Sequence, residues 1–267
     1  MRVFLVLAAV FLSSPALACG PDTDCVIGDR HYRISMPEGH DGATKVGAIV
    51  WAHGYRGSAR GMMRNKGFLK AMSDKGLAVI ALKSARDDWV LPNAPRDKGA
   101  DGSVEFDYLD AVIADASAKF AIDTERMMMS GFSAGGMMVW NAACAKPGLF
   151  AGFAPISGTF WLKPPASCQT PVTNIIHIHG DNDRTVPLDG RPIADTHQGK
   201  VSEALDMYAS FGNFGAPEPE STPMLDCLIQ KNPSDNLLEF CLFEGGHSFR
   251  GDYVSYAWDR LAAEGKL

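Results

Sequence analysis

Three side chains that can together activate a hydroxyl group occur in this sequence in the order serine, aspartate, histidine. Ser133 stands in the pentapeptide Gly-Phe-Ser-Ala-Gly, Asp183 follows shortly after a His-Gly pair, and His247 follows two glycines. A serine hydroxyl is a poor nucleophile until an imidazole accepts its proton, and a carboxylate fixes the tautomer of that imidazole. We therefore expect these residues to act as nucleophile, orienting acid and general base.

Ser133 needs a sharp turn to expose its hydroxyl. An apolar run after Arg126 predicts a short buried strand, and a helical pattern begins just past Ser133. A strand-to-helix turn of this kind holds the serine in a strained conformation with positive φ. Gly131 and Gly135 fit because a Cβ at either position would clash where strand and helix cross. The motif alone is weak evidence in a chain with 27 glycines, so the assignment depends on the other two partners.

The acid and the oxyanion donors are expected at the ends of other predicted strands. Asp181 and Asp183 both follow the strand predicted from Thr173 to His179, and either carboxylate could instead serve only to build the turn. Two backbone N–H groups should stabilise the oxyanion, each lowering the barrier by about 3 kcal/mol. We assign them to Ala134, directly after the nucleophile, and to Tyr55, in the loop after the strand predicted from Lys45 to Ala52.

Strands and helices alternate along the chain. Predicted strands cover residues 31–36, 45–52, 77–82, 150–156, 173–179 and 237–243 in addition to the strand before Ser133, and helical patterns cover residues 62–72, 109–120, 201–208 and 254–261. This alternation predicts an α/β fold with a mostly parallel central sheet, helices on both faces and no large lid domain. The first strand is expected at the sheet edge. Two long loops, residues 84–103 and 212–223, interrupt the pattern, and the first could form a wall of the substrate cleft.

The N-terminus predicts export. Residues 1–18 combine a positive start, a short apolar run and a small-residue end, which is typical of a signal peptide cleaved after Ala18. No later stretch is apolar enough to span a membrane, so we expect a secreted or periplasmic protein without a membrane anchor, with residues 19–267 forming one catalytic domain. The formal charge of −6 and the lack of a basic cluster make nucleic acid an improbable partner.

Six cysteines follow the expected cleavage site, and an even number in an exported protein indicates disulfides. Six cysteines allow 15 connectivities. Nearest-neighbour pairing is our prediction, namely Cys19–Cys25, Cys144–Cys168 and Cys227–Cys241.

With these motifs in place, the chain resembles the α/β-hydrolase superfamily and, more narrowly, the secreted esterases grouped with poly(3-hydroxybutyrate) depolymerases and feruloyl or acetyl xylan esterases. The resemblance rests on His-Gly-Tyr at 53–55, Phe-Asp-Tyr-Leu-Asp at 106–110, the segments 131–138 and 154–158, His-Ile-His-Gly at 177–180 with Asp183, and Gly-Gly-His-Ser at 245–248. It implies ester hydrolysis through an acyl-serine, with Ser133, Asp183 and His247 as the triad, and it favours Asp183 over Asp181. No cofactor and no metal are implied.

The substrate expectation comes from departures from that resemblance. Arg250 stands where the histidine loop of the family usually has proline, and the polymer-binding module of polyester-degrading members is missing from this sequence. We therefore expect soluble hydroxyalkanoate oligomers or aryl and feruloyl-type esters as substrates. Trp161, Phe132 and Trp89 are candidates for an apolar acyl or aryl pocket.

Other functions remain open at the level of sequence. A triad does not name its acyl group, so peptidase, thioesterase or lactonase activity is an alternative. A non-catalytic binder on the same fold is another. His177 and His179 share a strand face and, with Asp181, resemble part of a zinc signature, but Asn182 stands where that signature needs histidine. A metallohydrolase is therefore the least favoured hypothesis.

Overall fold

One mostly parallel sheet dominates the computed structural model, which describes residues 19–267. The predicted signal peptide, residues 1–18, lies outside the described residues. The strands are β1 (Cys25–Ile27), β2 (Arg30–Ser35), β3 (Val46–Ala52), β4 (Ala78–Ala81), β5 (Ile122–Phe132), β6 (Gly152–Ile156), β7 (Ile175–Gly180), β8 (Arg191–Ile193), β9 (Thr196–Gln198), β10 (Glu218–Ser221), β11 (Asp226–Lys231) and β12 (Leu237–Phe243). The helices are α1 (Ala59–Met63), α2 (Lys66–Asp74), α3 (Ser103–Lys119), α4 (Ala134–Ala145), α5 (Val201–Gly212) and α6 (Gly251–Ala263).

The sheet has the order β1-β2-β4-β3-β5-β6-β7-β12-β11-β10. Its six central strands, from β4 to β12, are parallel to their neighbours. Antiparallel pairings add β2 and β1 at one end and β11 and β10 at the other. Because the central strands are parallel, their carboxyl ends meet at one edge of the sheet, which is where functional loops collect in such folds.

The buried residues form two clusters, one on each face of the sheet. Val50 and Met129 belong to the cluster that also contains residues of α3, α4 and α5. Their chain neighbours Ile49 and Met128 belong to the cluster formed with α1, α2 and α6. Successive strand residues point to opposite faces, so a strand covered by helices on both sides must be apolar throughout. The predicted fold class, a parallel sheet with helices on both faces, is confirmed.

Several predicted boundaries differ from the structure. The helix expected over residues 62–72 is two helices, because the side chain of Asn65 accepts a hydrogen bond from Phe68 N at 3.1 Å and starts α2 there. The first predicted strand, β2, is not at the edge, since β1 pairs outside it. Strand β10 lies inside the segment expected to be a loop at 212–223, and its residues are exposed, so no apolar alternation marked it.

Three disulfides connect the cysteines as the nearest-neighbour prediction has them. They join Cys19 to Cys25, Cys144 to Cys168 and Cys227 to Cys241. The second attaches α4, the helix that begins after Ser133, to the segment that follows β6. The predicted disulfide map is therefore confirmed.

Candidate active site

Ser133 lies at the turn between β5 and α4, with φ 60° and ψ −122°. Its backbone N–H donates to Ile156 O at 2.9 Å, which fixes the turn against β6. A Cβ on Gly131 would lie 2.6 Å from Gly135 O, and a Cβ on Gly135 would overlap Ala52 O. The predicted strained turn and the need for both glycines are confirmed, because strand and helix cross too closely for any side chain.

Asp183 and His247 are in direct contact. Nδ1 of His247 lies 2.6 Å from Oδ2 of Asp183, although the two residues are 64 positions apart in the chain. The other carboxylate oxygen of Asp183 accepts the backbone N–H groups of Thr185 and Val186, each at 2.8 Å. A carboxylate only accepts, so Nδ1 of His247 carries the proton and Nε2 keeps a free lone pair. The imidazole therefore has the tautomer that a general base requires.

Asp183 remains ionised in this site. Burial by itself would raise the pKa of Asp183, but hydrogen bonds from His179, His247 and the backbone of Val186 and Thr185 outweigh it and hold the pKa below its ordinary value. Asp181 has a different role, since its Oδ1 accepts the N–H of Gly245 at 2.9 Å. Asp181 thus holds the histidine loop, and Asp183 is the carboxylate that meets the imidazole.

Residues adjoining Ser133 connect it to the His247 ring and to the turn that holds Asp183. The ring of Phe132, the residue before Ser133, packs against the His247 ring with 4.5 Å between centroids. Thr185 and Val186, whose N–H groups hold Asp183, line the same cavity as Ser133. Ser133, Asp183 and His247 thus follow the carboxyl ends of β5, β7 and β12, at the same edge of the sheet.

The loop after β3 passes directly over Ser133. A Cβ built on Gly54 would lie 3.5 Å from Cβ of Ser133, so the backbone of this loop is in van der Waals range of the serine. Tyr55 and Ala134 both line the cavity that contains Ser133. Ala134 is the first residue of α4, where backbone N–H groups lack helical partners and favour negative charge. The two predicted oxyanion donors are thus at the same cavity as the nucleophile.

His53 supports this loop. Its Nε2 accepts the N–H of Ser84 at 3.2 Å, and its Nδ1 lies 2.8 Å from Gly54 O. These partners require the neutral ring, with its proton on Nδ1. Burial lowers the pKa of His53 to about 4, against the opposing effect of the hydrogen bond to Gly54.

A cavity of about 390 Å³ opens above Ser133. Its volume lies within the range of small-molecule sites. It is lined by Tyr55, Asp88, Ala94, Pro95, Arg96, Asp97, Ser133, Ala134, Met137, Trp161, Thr185, Val186, Arg191, Ile193 and Gln198. Two segments supply most of its sides: residues 84–102, here called the irregular wall, and residues 191–198, the hairpin wall formed by β8 and β9.

The irregular wall is held in place by one buried carboxylate. Glu105, fully buried at the start of α3, accepts the N–H groups of Val90 at 2.9 Å and Ala85 at 3.3 Å. Its other oxygen lies 2.5 Å from NH2 of Arg30. Two backbone donors of a segment without regular secondary structure are thus satisfied by one side chain. Five of its residues line the cavity, so the prediction that this segment walls the cleft is confirmed.

The hairpin wall was not predicted from sequence. Strands β8 and β9 have three residues each, and Pro192 and the exposed side chains hide any alternation. Thr196 Oγ1 donates to Asn93 O at 3.0 Å, and Lys98 forms an ion pair with Asp195. The two walls are therefore joined to each other above the cavity.

The three predicted aromatic pocket residues have different positions. Trp161 lines the cavity and pairs with Gln198 of the hairpin wall. Phe132 packs against His247 and is not among the lining residues. Trp89 is buried behind the wall, and its Nε1 donates to His53 O at 2.8 Å. Of the three, the structure brings only Trp161 to the cavity surface; Trp89 supports the loop after β3.

A buried chain of hydrogen bonds runs toward Asp183. Nε1 of Trp140, which can only donate, lies 2.8 Å from Nδ1 of His177. His177 must then carry its proton on Nε2, which lies 2.9 Å from Nδ1 of His179. His179 in turn carries its proton on Nε2, 2.8 Å from Val186 O. The sequence predicted that both histidines share a strand face. It did not predict Trp140 as the partner of His177, because Trp140 lies on α4, a different element of the chain.

These contacts bear on the zinc alternative. All four ring nitrogens of His177 and His179 are engaged, and both side chains are fully buried. Burial, followed by the neighbouring His179, lowers the pKa of His177. Among residues 19–267, the one close group of three metal-ligand types is Cys227, Glu239 and Cys241, and its two sulfurs form a disulfide. Neither group offers a free set of ligands.

The structure thus combines a mostly parallel sheet flanked by helices, a strand-to-helix turn at Ser133 and a contact between Asp183 and His247. The chain belongs to the esterases of the α/β-hydrolase superfamily. Residues 90–206 match the Phospholipase/Carboxylesterase family. The chain is 30% identical over 258 residues to the putative esterase NocK of Nocardia uniformis subsp. tsuyamanensis, covering 85% of this chain and 72% of that protein.

Further relatives and structures agree with this assignment. The chain is 25% identical over 169 residues to the probable feruloyl esterase C of Aspergillus terreus, covering 61% of this chain and 58% of that protein. The fold is similar to the acetyl xylan esterase from Aspergillus awamori, with a TM-score of 0.62, 14% identity, and coverage of 87% of this chain and 94% of the other.

Within the described part of the chain, every helix is too short or too polar to cross a lipid bilayer.

Proposed function

We propose that this protein is an exported serine esterase in which Ser133, His247 and Asp183 form the catalytic triad. The observation that carries the proposal is the 2.6 Å contact between His247 Nδ1 and Asp183 Oδ2, with the His247 ring packed against Phe132, the residue before the positive-φ Ser133. It leaves Nε2 of His247 free to accept the hydroxyl proton. Residues 19–267 then act as one catalytic domain.

The reaction follows from these positions. Oγ of Ser133 attacks the ester carbonyl carbon while its proton moves to Nε2 of His247. The N–H groups of Ala134 and Tyr55 stabilise the oxyanion. The imidazolium protonates the leaving alcohol, and an acyl-serine remains. Water, activated by the same imidazole, then releases the acid and restores the serine.

The cavity supports small or oligomeric esters as substrates. Trp161, Met137 and Ile193 give it apolar surface, and its volume of about 390 Å³ suits an acyl or aryl group. We propose soluble hydroxyalkanoate oligomers or aryl and feruloyl-type esters as the substrate class. The feruloyl esterase C and acetyl xylan esterase relatives agree with this range.

Export is supported by the disulfides, since such bonds persist in oxidising compartments. The proposed localisation is secreted or periplasmic, after cleavage at Ala18.

A fluorophosphonate probe tests the proposed nucleophile. It should label the wild-type protein once, at Ser133, and should not label Ser133→Ala. A matched control is Ser130→Ala, which removes a nearby hydroxyl that is buried and donates to Ala154 O at 2.8 Å. Labelling of Ser133→Ala at the wild-type rate would overturn the assignment. Rates on p-nitrophenyl esters of rising length, methyl ferulate and a hydroxybutyrate trimer then define the acyl and alcohol groups.

A further inference from the structure

Arg191 is placed on the cavity surface by contacts that leave its terminal nitrogens unused. Its Nε donates to Thr185 O at 2.8 Å and to Oε1 of Gln198 at 3.2 Å. Gln198 is 5% exposed and pairs with Arg191 across β8 and β9, so the acceptor is itself fixed. Between residues 19 and 267, no hydrogen-bond partner is found for the two terminal nitrogens of Arg191.

The charge of Arg191 is also unpaired. No aspartate or glutamate of the described chain forms an ion pair with it, whereas Arg56 and Arg86 pair with Asp87 and Asp97. Of the two carboxylates lining the cavity, Asp97 is paired with Arg86. The other, Asp88, accepts the N–H of Trp89 at 2.9 Å and is influenced by the charge of Arg96, on the irregular wall. Arg191 thus places a guanidinium without an ion-pair partner among residues 19–267 at a cavity that Asp88, Arg96 and Asp97 also line.

A guanidinium anchored through Nε presents two parallel N–H donors, the geometry that binds a carboxylate in bidentate fashion. We propose that Arg191 is a specificity-determining residue that selects esters carrying a free carboxylate, such as half-esters of dicarboxylic acids or hydroxyalkanoate oligomers with a terminal acid. This inference rests on the proposed esterase function and narrows its substrate class. Arg96 has Asp88 and the Tyr55 hydroxyl as neighbours and contributes less.

The test uses pairs of substrates that differ only in charge. Monomethyl succinate, glutarate and adipate are compared with the methyl esters in which the distal acid is a primary amide. We expect wild-type kcat/KM to favour the acid over the amide by about tenfold or more at the best chain length. Arg191→Gln should reduce this ratio toward unity, Arg191→Lys should retain part of it, and Arg96→Gln should change it less. Arg60→Gln, an exposed arginine on α1, controls for net charge and should keep the ratio.

Binding separates this inference from the proposed function. In a Ser133→Ala background, calorimetry measures the affinity for the same acid and amide pairs without turnover. A preference for the acid that disappears with Arg191→Gln supports the anion site, whatever the rate of hydrolysis. Equal affinities in the presence and absence of Arg191, or a ratio that Arg191→Gln leaves unchanged, would overturn it. Failure of the wild type to hydrolyse any ester contradicts the proposed function instead.

Discussion

Nε2 of His179 lies 3.5 Å from Oδ2 of Asp183, the same oxygen that contacts His247 at 2.6 Å. The hydrogen bonds from Trp140 through His177 place the proton of His179 on Nε2, which has Val186 O at 2.8 Å as its nearer acceptor and the Asp183 carboxylate as a second, more distant one. We therefore expect the buried imidazole of His179 to position Asp183, the proposed orienting acid, and through it His247, the proposed base.

His179→Leu removes the donor, and His179→Gln keeps an N–H at a similar reach. We expect kcat/KM to fall about tenfold in the leucine variant, because a hydrogen bond to a charged group contributes about 1.5 kcal/mol or more. The glutamine variant should recover part of the loss. Thermal denaturation of each variant, measured alongside, separates this from loss of fold.

The tautomers of the buried pair are directly measurable. Because Trp140 only donates, ¹⁵N spectra should show protonated Nε2 and unprotonated Nδ1 in both His177 and His179. Trp140→Phe removes the donor that sets this order, and we expect the His177 signals to change. A protonated Nδ1 on His177 in the wild type would contradict the proposed order of donors and acceptors, from Trp140 through His177 to His179.

Asp183→Asn should lower kcat by about 10³-fold or more, because an amide can stabilise the wrong imidazole tautomer and carries no charge. The matched control is Asp181→Asn. Its remaining oxygen can still accept the N–H of Gly245, so activity should stay within about threefold of wild type. Single-turnover kinetics on a p-nitrophenyl ester measure both. A larger loss of activity in the Asp181 variant than in the Asp183 variant would indicate that Asp181, and not Asp183, is the acid of the triad.

Acid should weaken the fold through His53. Its pKa is lowered to about 4 when folded and is near 6.5 when unfolded, so between these values only the unfolded chain takes up the proton. Stability contributed by the neutral ring is complete above about pH 6.5 and decreases on acidification to about pH 4, by roughly 3 kcal/mol. Urea denaturation at several pH values should show this slope, and His53→Gln should reduce it. An identical slope in the variant would assign the effect to other groups.

Sequence reasoning was most successful where a local pattern has one structural solution. The apolar run before Ser133 and the two glycines around it permit little besides a strand-to-helix turn. The central strands were found because burial on both faces requires continuous apolar residues. The placement of Asp183 and His247 at strand ends followed from the same alternation, although their contact spans 64 residues and only coordinates display it.

The parts that were missed depend on partners rather than on patterns. The three-residue strands of the hairpin wall contain proline and exposed polar side chains, so they resemble a loop. Trp140 was not singled out from the sequence, since hydrophobic periodicity indicates burial and not which group an indole N–H contacts. Trp89 was predicted to line the pocket because an aromatic residue in a long loop can either contact substrate or pack in the core. In the structure its side chain is buried in the core.

The ion pair between Lys98 and Asp195 and the hydrogen bond from Thr196 to Asn93 connect the irregular wall to the hairpin wall. The two walls therefore depend on each other for their positions. Exchanging residues 84–102 for those of a relative would leave Asp195 and the Thr196 hydroxyl without their counterparts. A redesign of substrate selectivity should therefore replace both walls together and leave the strands of the sheet unchanged.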